Sequence, residues 1–581
     1  MEYDINVIKS MYMEYTKEVK VFVDEWRAVS FQHDTQKFGA EVIAALVYFY
    51  KKNGMDFEVL DTFFSSNSIN NLHFQNIIKA YITKPFIKSF IEQKRIIGEE
   101  LLLGIALFHG QYSRMVDTED NNSLNTVLEL LLDFDKEQSA SFLQIGAGTG
   151  KICTNIVTRY NVSEYAGFER EDELMVVLQL RVLLLQCVSN MMISSDFLEG
   201  SYPAFREDFD RILCISPWKA NISLNGAGLN SNIKKIIEET NLVIRTRDWM
   251  DIIGAFYNLS NTGKMVTLLP NSSLSGAIHK SVREYFVKNG FIETVIELPN
   301  MLLNGTNISL YAMVLSKGNK MIRFIDASEL YVSERRRKII EIDTFKAVLL
   351  DPSSDMSKVV PLEGVLEEEG SLLPKRYTVK NISITGTSLG DVCDIKRGPA
   401  ITSKELDAIT TCDNTGIKYV YSKAIDEDSV ALDELPFIDL SQLKKKAEVT
   451  EEDCLLVTRT SPFRTKMLRL NSDIKAVLNG NTFSVKIKPK FAKKYLIEYV
   501  ALFFKSELGR TQIERLSMGN VIQSISINDL RTIVIPDLSI EEQQDLVNRV
   551  NEIHREKEKL STKIRILSAD EHEIIKEAFN W

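Results

Sequence analysis

Proline and cysteine are scarce, with 13 and 6 among 581 residues. The cysteines, at 153, 187, 214, 393, 412 and 454, lie far apart and never form a CxxC pair. That spacing excludes a disulfide framework and a thiolate metal site, and it fits a reducing compartment. No apolar run reaches the roughly 18 residues a membrane helix needs, and the opening MEYDINVIKS does not read as a signal peptide. The expectation is a cytoplasmic protein with no membrane partner. Basic charge is not in excess either: 70 Lys and Arg face 80 Asp and Glu, a net charge of −10. Bulk charge therefore gives no nucleic-acid footprint, and any such contact must rest on local patches. Long internal repeats and low-complexity tracts are also missing.

What is present is a globular chain, 44% hydrophobic and 26% charged, too long for one core. Residues 1–120 carry apolar residues at three- and four-residue steps, as in FGAEVIAALVYFYKKNG, with Gly54 and Pro85 as punctuation. This predicts a helical N-terminal domain. Near 140 the texture changes to short apolar runs: SFLQIGAGTG, EYAGFE, NMMISSDFLEG, FDRILCISP, GKMVTLLP, IETVIELP and ISLYAMVLSKG. Helical stretches such as DELMVVLQLRVLLLQCVS and MDIIGAFYNLS lie between them. Alternating strands and helices predict a mainly parallel, doubly wound α/β sheet, with ligands beyond the carboxyl ends of its strands. Residues 319–385 read as a connecting segment with some strand content. Residues 386–540 read as α+β. From 541 a polar helix begins, with Leu546, Val550, Ile553, Leu560, Ile564 and Leu567 at coiled-coil-like steps.

The candidate site is read from the strand ends. Gly146, Gly148 and Gly150 end the first strand, where glycine lets the backbone approach a ligand and turn into a helix. A tight turn without a ligand uses the same residues. Glu169 ends the second strand, where a carboxylate can accept both hydroxyls of a ribose. Asp196 ends the third, where a carboxylate can accept from an adenine amino group. Ile215, Ser216, Pro217 and Trp218 end the fourth, and the tryptophan can stack on a flat ring.

In this order the motifs resemble those of the modification subunit of type I restriction–modification systems, the adenine-N6 DNA methyltransferases that use S-adenosylmethionine. Residues 261–318 follow that family's downstream signature through Gly263, Pro270, Leu274, Arg283, the IELP of 296–299 and Gly305-Thr306. The resemblance covers about residues 1–380 and implies a Rossmann-like methyltransferase domain over 121–385. The remainder is similar to a target-recognition domain of a type I specificity subunit, over 386–540, followed by a spacer or dimerisation helix over 541–581. SLGDVCDIKRGPAITSKEL opens that part and ISINDLRTIVIPDLSIEEQ closes it.

The resemblance implies double-stranded DNA as partner, with Lys396, Arg397, Arg459, Arg464 and Lys466 as DNA-binding candidates. The Lys444–Lys446 run reads as a solvated surface. It also implies a homodimer or a specificity or restriction partner subunit. No metal is expected.

The family's catalytic motif is Asn-Pro-Pro-aromatic, and the register set by Asp210 places Ile215 at the asparagine. An adenine amine is a poor nucleophile until acceptors localise its lone pair, and isoleucine offers no side-chain acceptor. Tyr112, in GQYSRM, keeps the start of the motif before the glycine loop but lacks the family's Thr-Pro. Gln144-Ile145 replaces the usual Asp-Pro. These departures surround the pocket, so the expectation is a DNA-binding, catalytically impaired member that binds S-adenosylmethionine weakly or not at all. The alternative is an active adenine-N6 methyltransferase, with Ser216 acting for the asparagine.

Overall fold

The computed structural model describes the chain apart from residues 1–3, 34–37, 55–59, 67–68, 70, 111–120, 186–189, 195, 199–207, 219–228, 230, 304–307, 335–336, 380–384, 400, 426–433, 444–446, 448, 471–472, 518–523 and 580–581. It divides into two compact units, Met1–Pro374 and Lys375–Trp581.

In the first unit, the apolar periodicity of the N-terminal region becomes helices α1 (Ile5–Glu14), α2 (Thr16–Gln32), α3 (Ala40–Asn53), α4 (Leu60–Ser66), α5 (Leu72–Ile82), α6 (Pro85–Lys94) and α7 (Glu99–Phe108). Gly54 ends α3 with a left-handed backbone and Pro85 opens α6 at its first turn, each where its conformational preference suits a helix end. α8 (Asn122–Leu132) follows, capped by the Asn121 side chain. These helices share one hydrophobic core with the sheet beside them.

That sheet has nine strands: β1 (Ala140–Ile145), β2 (Val162–Phe168), β3 (Asn190–Ser194), β4 (Phe209–Cys214), β5 (Leu259–Pro270), β6 (Ile292–Glu297), β7 (Leu310–Leu315), β8 (Met321–Asp326) and, after a hairpin of β9 (Tyr331–Glu334) and β10 (Arg337–Ile340), β11 (Ser357–Pro361). Their order is β11-β8-β6-β7-β5-β4-β1-β2-β3. The β3-β2-β1-β4-β5 portion is parallel throughout. β7 runs antiparallel between β5 and β6, and β11 is antiparallel to β8. The sheet is thus mainly parallel, as expected, with β7 and β11 antiparallel in it, and part of the expected connecting segment, β8 and β11, belongs to it.

Between the strands lie α9 (Lys151–Val157), α10 (Asp172–Leu185), α11 (Ser231–Thr240) and α12 (Arg247–Phe256). α10 is buried all round, which its near-continuous apolar run explains. The chain runs from β1 outward through β2 and β3, then crosses back to β4 on the other side of β1. That reversal opens a crevice at the carboxyl ends of β1 and β4.

The second unit is α+β. One four-stranded antiparallel sheet orders Cys393–Arg397, Thr482–Ile487, Cys454–Thr458 and Thr465–Leu468, and a second orders Thr410–Thr411, Phe437–Ile438, Ile417–Val420 and Lys475–Leu478. A helix of 40 residues, Ile540–Phe579, ends the chain. Its start is anchored by buried Gln543 and Val547, and its described side chains are exposed from 551 onward. Among the described residues, no helix is long and apolar enough to cross a membrane, and no cluster of residues is arranged to hold a metal ion.

Candidate functional site

The crevice holds a cavity of about 340 Å³ lined by residues from four successive strand ends. Gly146 and Gly148 come from the loop after β1, Glu169 to Glu171 from the end of β2, Phe197 from beyond β3, and Ile215 to Trp218 from beyond β4. Arg247 and Asp251 of α12 close one wall. Sequence reasoning points to the strand-end residues but not to the two from α12.

Gly146 has φ +67°, and a Cβ on it would collide with the Ile215 carbonyl oxygen. The loop and the end of β4 therefore touch through backbone, joined also by the Ile215 N–H donating to Ile145 O at 2.9 Å. Gly150, also left-handed, opens α9 against Leu178 of α10. The loop is fixed from behind by Arg181 of α10. Its guanidinium donates to Thr149 O and Oγ1 at 2.9 and 2.7 Å, and to the carbonyls of Ala106 and His109 at 3.1 and 2.7 Å.

Glu169 is buried, and both its oxygens hold backbone amides: Oε2 accepts from Gly148 N at 2.8 Å and Oε1 from Glu171 N at 3.0 Å. The Gly148 N–H expected to face a ligand is thus directed at a side chain. Asp196 is not among the lining residues, and its acceptor capacity is taken. Oδ1 accepts from Leu198 N at 2.9 Å and from Arg247, while Oδ2 accepts from Arg247 at 3.0 Å and pairs with Arg170 Nε at 3.1 Å. The expectation of an Asp196 open to an adenine amine does not match this arrangement, because two guanidiniums reach it first. Burial works to raise the Asp196 carboxyl, but Arg247, the Leu198 amide and Arg170 outweigh it and hold it below its ordinary range.

Arg247 also donates through Nε to Asp251 Oδ2 at 3.1 Å, and the Ser216 hydroxyl donates to the same oxygen. Asp251 is 1% exposed, and its Oδ1 meets no donor among the described residues. Burial pushes its carboxyl up to about 6, against the downward pull of Arg247 and Ser216. Ile215 packs its side chain against the core, and Trp218 is anchored by Nε1–H donating to Leu268 O at 3.0 Å. Gln144 is buried inside β1, where it accepts from the Tyr165 hydroxyl at 3.1 Å. Tyr112 lies outside the described residues.

Residues 150–383 match the model of the family described as N-6 DNA Methylase. They form a domain of that family. The matched stretch contains Glu169, Asp196, Ile215 to Trp218, Arg247 and Asp251.

Among solved structures, the chain is similar to the methyltransferase subunit of a type I restriction–modification system from Streptococcus thermophilus, at 17% identity over 60% of this chain and 83% of that one, with a TM-score of 0.44. It is also similar to the type IIG restriction endonuclease BpuSI, at 14% identity over 88% of this chain and 71% of that one, with a TM-score of 0.40. A third is the ATP-dependent type ISP restriction–modification enzyme LlaBIII bound to DNA, at 9% identity over 95% of this chain and 48% of that one, with a TM-score of 0.43.

The methylase domain fits S-adenosylmethionine poorly at two points. The Gly148 amide is engaged by Glu169, and the Asp196 carboxylate is saturated by arginines.

The raised carboxyl of Asp251 makes the methylase domain pH-sensitive. Its folded value, about 6, lies above the unfolded one, so its contribution to stability is full below the unfolded value and is lost as pH rises through about 6. Between about pH 4.5 and about pH 8, wild type should lose about 2 kcal/mol relative to Asp251→Asn. Urea unfolding of both proteins at the two pH values measures this, and a constant difference contradicts it.

In the second unit, strand register puts Lys396 opposite Ser484, Ser484 opposite Leu456, and Leu456 opposite Lys466, so the two lysines share one row of the sheet. Arg397 falls on the next row, opposite Phe483, and its Nε donates to Gly480 O at 2.8 Å. Arg459 begins the turn that returns at Arg464, and its N–H donates to Asn481 O at 2.7 Å. Burial and the nearby Arg397 both hold the Arg459 guanidinium below its ordinary value. Arg397 and Arg459 are thus close like charges at one end of the sheet. Lys444 to Lys446 lie outside the described residues.

Proposed function

We propose that this protein is a DNA-binding member of the adenine-N6 methylase family of restriction–modification systems, in which methyl transfer is lost or greatly weakened. The observation that carries this reading is Ile215, a half-buried apolar side chain that packs against the core and lines the cavity at the position where the resemblance puts an amine acceptor. Loss of one such preorganised contact costs about 10²–10³ in rate. The saturated Asp196 and the engaged Gly148 amide support weak cofactor binding as well.

The second unit reads duplex DNA through Lys396, Arg397, Arg459, Arg464 and Lys466. Two guanidiniums held near each other are electrostatically costly in the free protein and are relieved by a phosphate between them. The exposed apolar positions Ile553, Leu560 and Leu567 of the last helix recur at seven-residue intervals, which suits pairing with a second copy. A homodimer would place two reading units on one duplex, and a specificity or restriction subunit is the other partner class. The second functional reading, an active S-adenosylmethionine-dependent adenine-N6 methyltransferase, is favoured by the retained cavity and glycine loop.

Calorimetric titration of S-adenosylmethionine, paired with duplex binding at a series of salt concentrations, tests the proposal. Duplex affinity should fall with salt with a log–log slope steeper than about −3, unaffected by the cofactor. Arg459→Ala with Arg464→Ala should make that slope shallower by about 1–2. Tight cofactor binding with methylated adenine as product would overturn the impaired reading, and a salt-independent affinity would overturn the DNA-binding one. Light scattering showing a monomer with and without duplex would remove the homodimer.

A further inference from the structure

We propose that Asn481 reads an adenine, its side-chain amide meeting N6 and N7 of that base in the major groove of duplex DNA. The inference rests on the duplex-binding reading of the second unit and deepens it by naming a residue that reads a base rather than a phosphate.

The antiparallel sheet of the second unit brings three loops to one end. Cys393–Arg397 runs out into Gly398-Pro399, Cys454–Thr458 runs out into the turn from Arg459 to Arg464, and Thr482–Ile487 is entered from Asn479-Gly480-Asn481. Thr482–Ile487 lies between the other two strands. Asn481 therefore stands in the middle of this end, with Arg397 closing one neighbouring strand and Arg459 just beyond the other.

The main chain there is fixed. The Thr482 N–H donates to Asn479 O at 3.0 Å and closes the turn. The Arg459 N–H donates to Asn481 O at 2.7 Å, and the Asn481 N–H donates to Asn479 Oδ1 at 2.9 Å. A Cβ on Gly398 would strike Asn479 O, so these two loops touch through backbone. The two asparagines of the turn are used differently. Asn479 is 2% exposed, and its Nδ2 donates to the Tyr419 hydroxyl at 3.1 Å. Asn481 is exposed, and among the described residues its side-chain amide has no hydrogen-bond partner. An uncommitted polar group on a fixed backbone is preorganised for recognition.

The chemistry selects the base and the groove. A carboxamide is neutral and presents an acceptor and a donor side by side. Adenine displays the matching pair, the N6 donor and the N7 acceptor, in the major groove. The guanidiniums on either side serve a different need, since contacts to phosphate set register and carry no sequence information. Arg397 is already oriented beside Asn481, because its Nε donates to Gly480 O at 2.8 Å.

The test is selection from random duplexes with the full chain, followed by sequencing and affinity measurements on the selected site. The selected duplexes should share an adenine at one position, favoured about tenfold over other bases. Replacing that adenine by 7-deazaadenine, which lacks the N7 acceptor, should weaken wild type about fivefold and Asn481→Ala by less than about twofold. Asn481→Asp, an acceptor without a donor, should shift the preference at that position towards cytosine. The salt slope should be the same in wild type and Asn481→Ala, because no phosphate contact is removed. An adenine preference unchanged in either variant, or equal 7-deazaadenine losses in wild type and Asn481→Ala, would overturn the assignment. So would a slope shallower by about 1 in Asn481→Ala. Duplex held with a steep salt dependence but no sequence preference sinks Asn481 and leaves duplex binding standing. A wild-type chain that retains no duplex even at low salt sinks both.

Discussion

Arg247→Met should destabilise the first unit by about 3–5 kcal/mol. The guanidinium of Arg247 is buried at 8% exposure between two carboxylates, forked onto Asp196 and bonded through Nε to Asp251. Methionine keeps most of the side-chain volume and removes every donor, so the loss reports charge and hydrogen bonding rather than a cavity. Asp251 would then keep only Ser216, and Asp196 only Arg170 and the Leu198 amide. Arg247→Lys should recover only part of the loss, because one ammonium cannot span the fork.

The cleanest check is a double-mutant cycle followed by tryptophan fluorescence in urea. Adding Asp196→Asn to Arg247→Met should return more than about 1 kcal/mol, since it removes the charge that the first change stranded. Simple additivity of the two losses would contradict the network.

Gly146→Ala should cost about 2–4 kcal/mol, far more than an alanine at most left-handed glycines. The reference is Gly54, which has φ +57° and open space within 4 Å of where an alanine methyl would sit. Alanine there carries only the left-handed backbone penalty, about 1–2 kcal/mol. At Gly146 the same penalty applies, and the new methyl also collides with the Ile215 carbonyl oxygen. That oxygen is backbone at the end of β4, tied to β1, and cannot swing aside as a flexible side chain would. Thermal unfolding of the two variants should therefore separate them clearly. Equal losses would mean that the loop and the end of β4 do not touch. Because this contact sets the distance between the glycine loop and Ser216, Gly146→Ala should also disturb the cavity.

Much of this architecture is legible in the sequence, for physical reasons. Short apolar runs ending in Gly, Glu, Asp and Ser-Pro mark strands that deliver side chains to one edge of a sheet, and those of β1, β2 and β4 line one cavity. The direction of β7 is not legible, because a strand buried on both faces looks the same read either way. β8 and β11 are hidden by their brevity and by the charged residues around them.

The α12 network escapes the sequence for another reason. Arg247 meets Asp196 across 51 residues of chain, and no local pattern records that meeting. A signal does exist nearby. RDWMDIIGAF places an arginine and two aspartates, one of them four residues after the arginine, on an otherwise apolar helix, and charges buried in such a helix need partners. The apolar stretch MDIIGAFYNLS begins only at Met250, so periodicity alone leaves Arg247 outside the helix. Asp196 is recognisable as a strand-end carboxylate, but whether such a group is open or paired is decided only by what packs against it. Likewise, Lys396 and Lys466 are recognisable as basic residues, while their common row follows from strand register alone.

On the proposed reading, a chain with isoleucine at position 215 holds DNA without methylating it. Incubating the purified protein with S-adenosylmethionine and adenine-unmethylated duplex DNA, and quantifying N6-methyladenine by mass spectrometry after nuclease digestion, tests it most directly. The expected result is DNA that is bound but carries no methyl group above the protein-free control, while stoichiometric N6-methyladenine from the wild-type chain would contradict it.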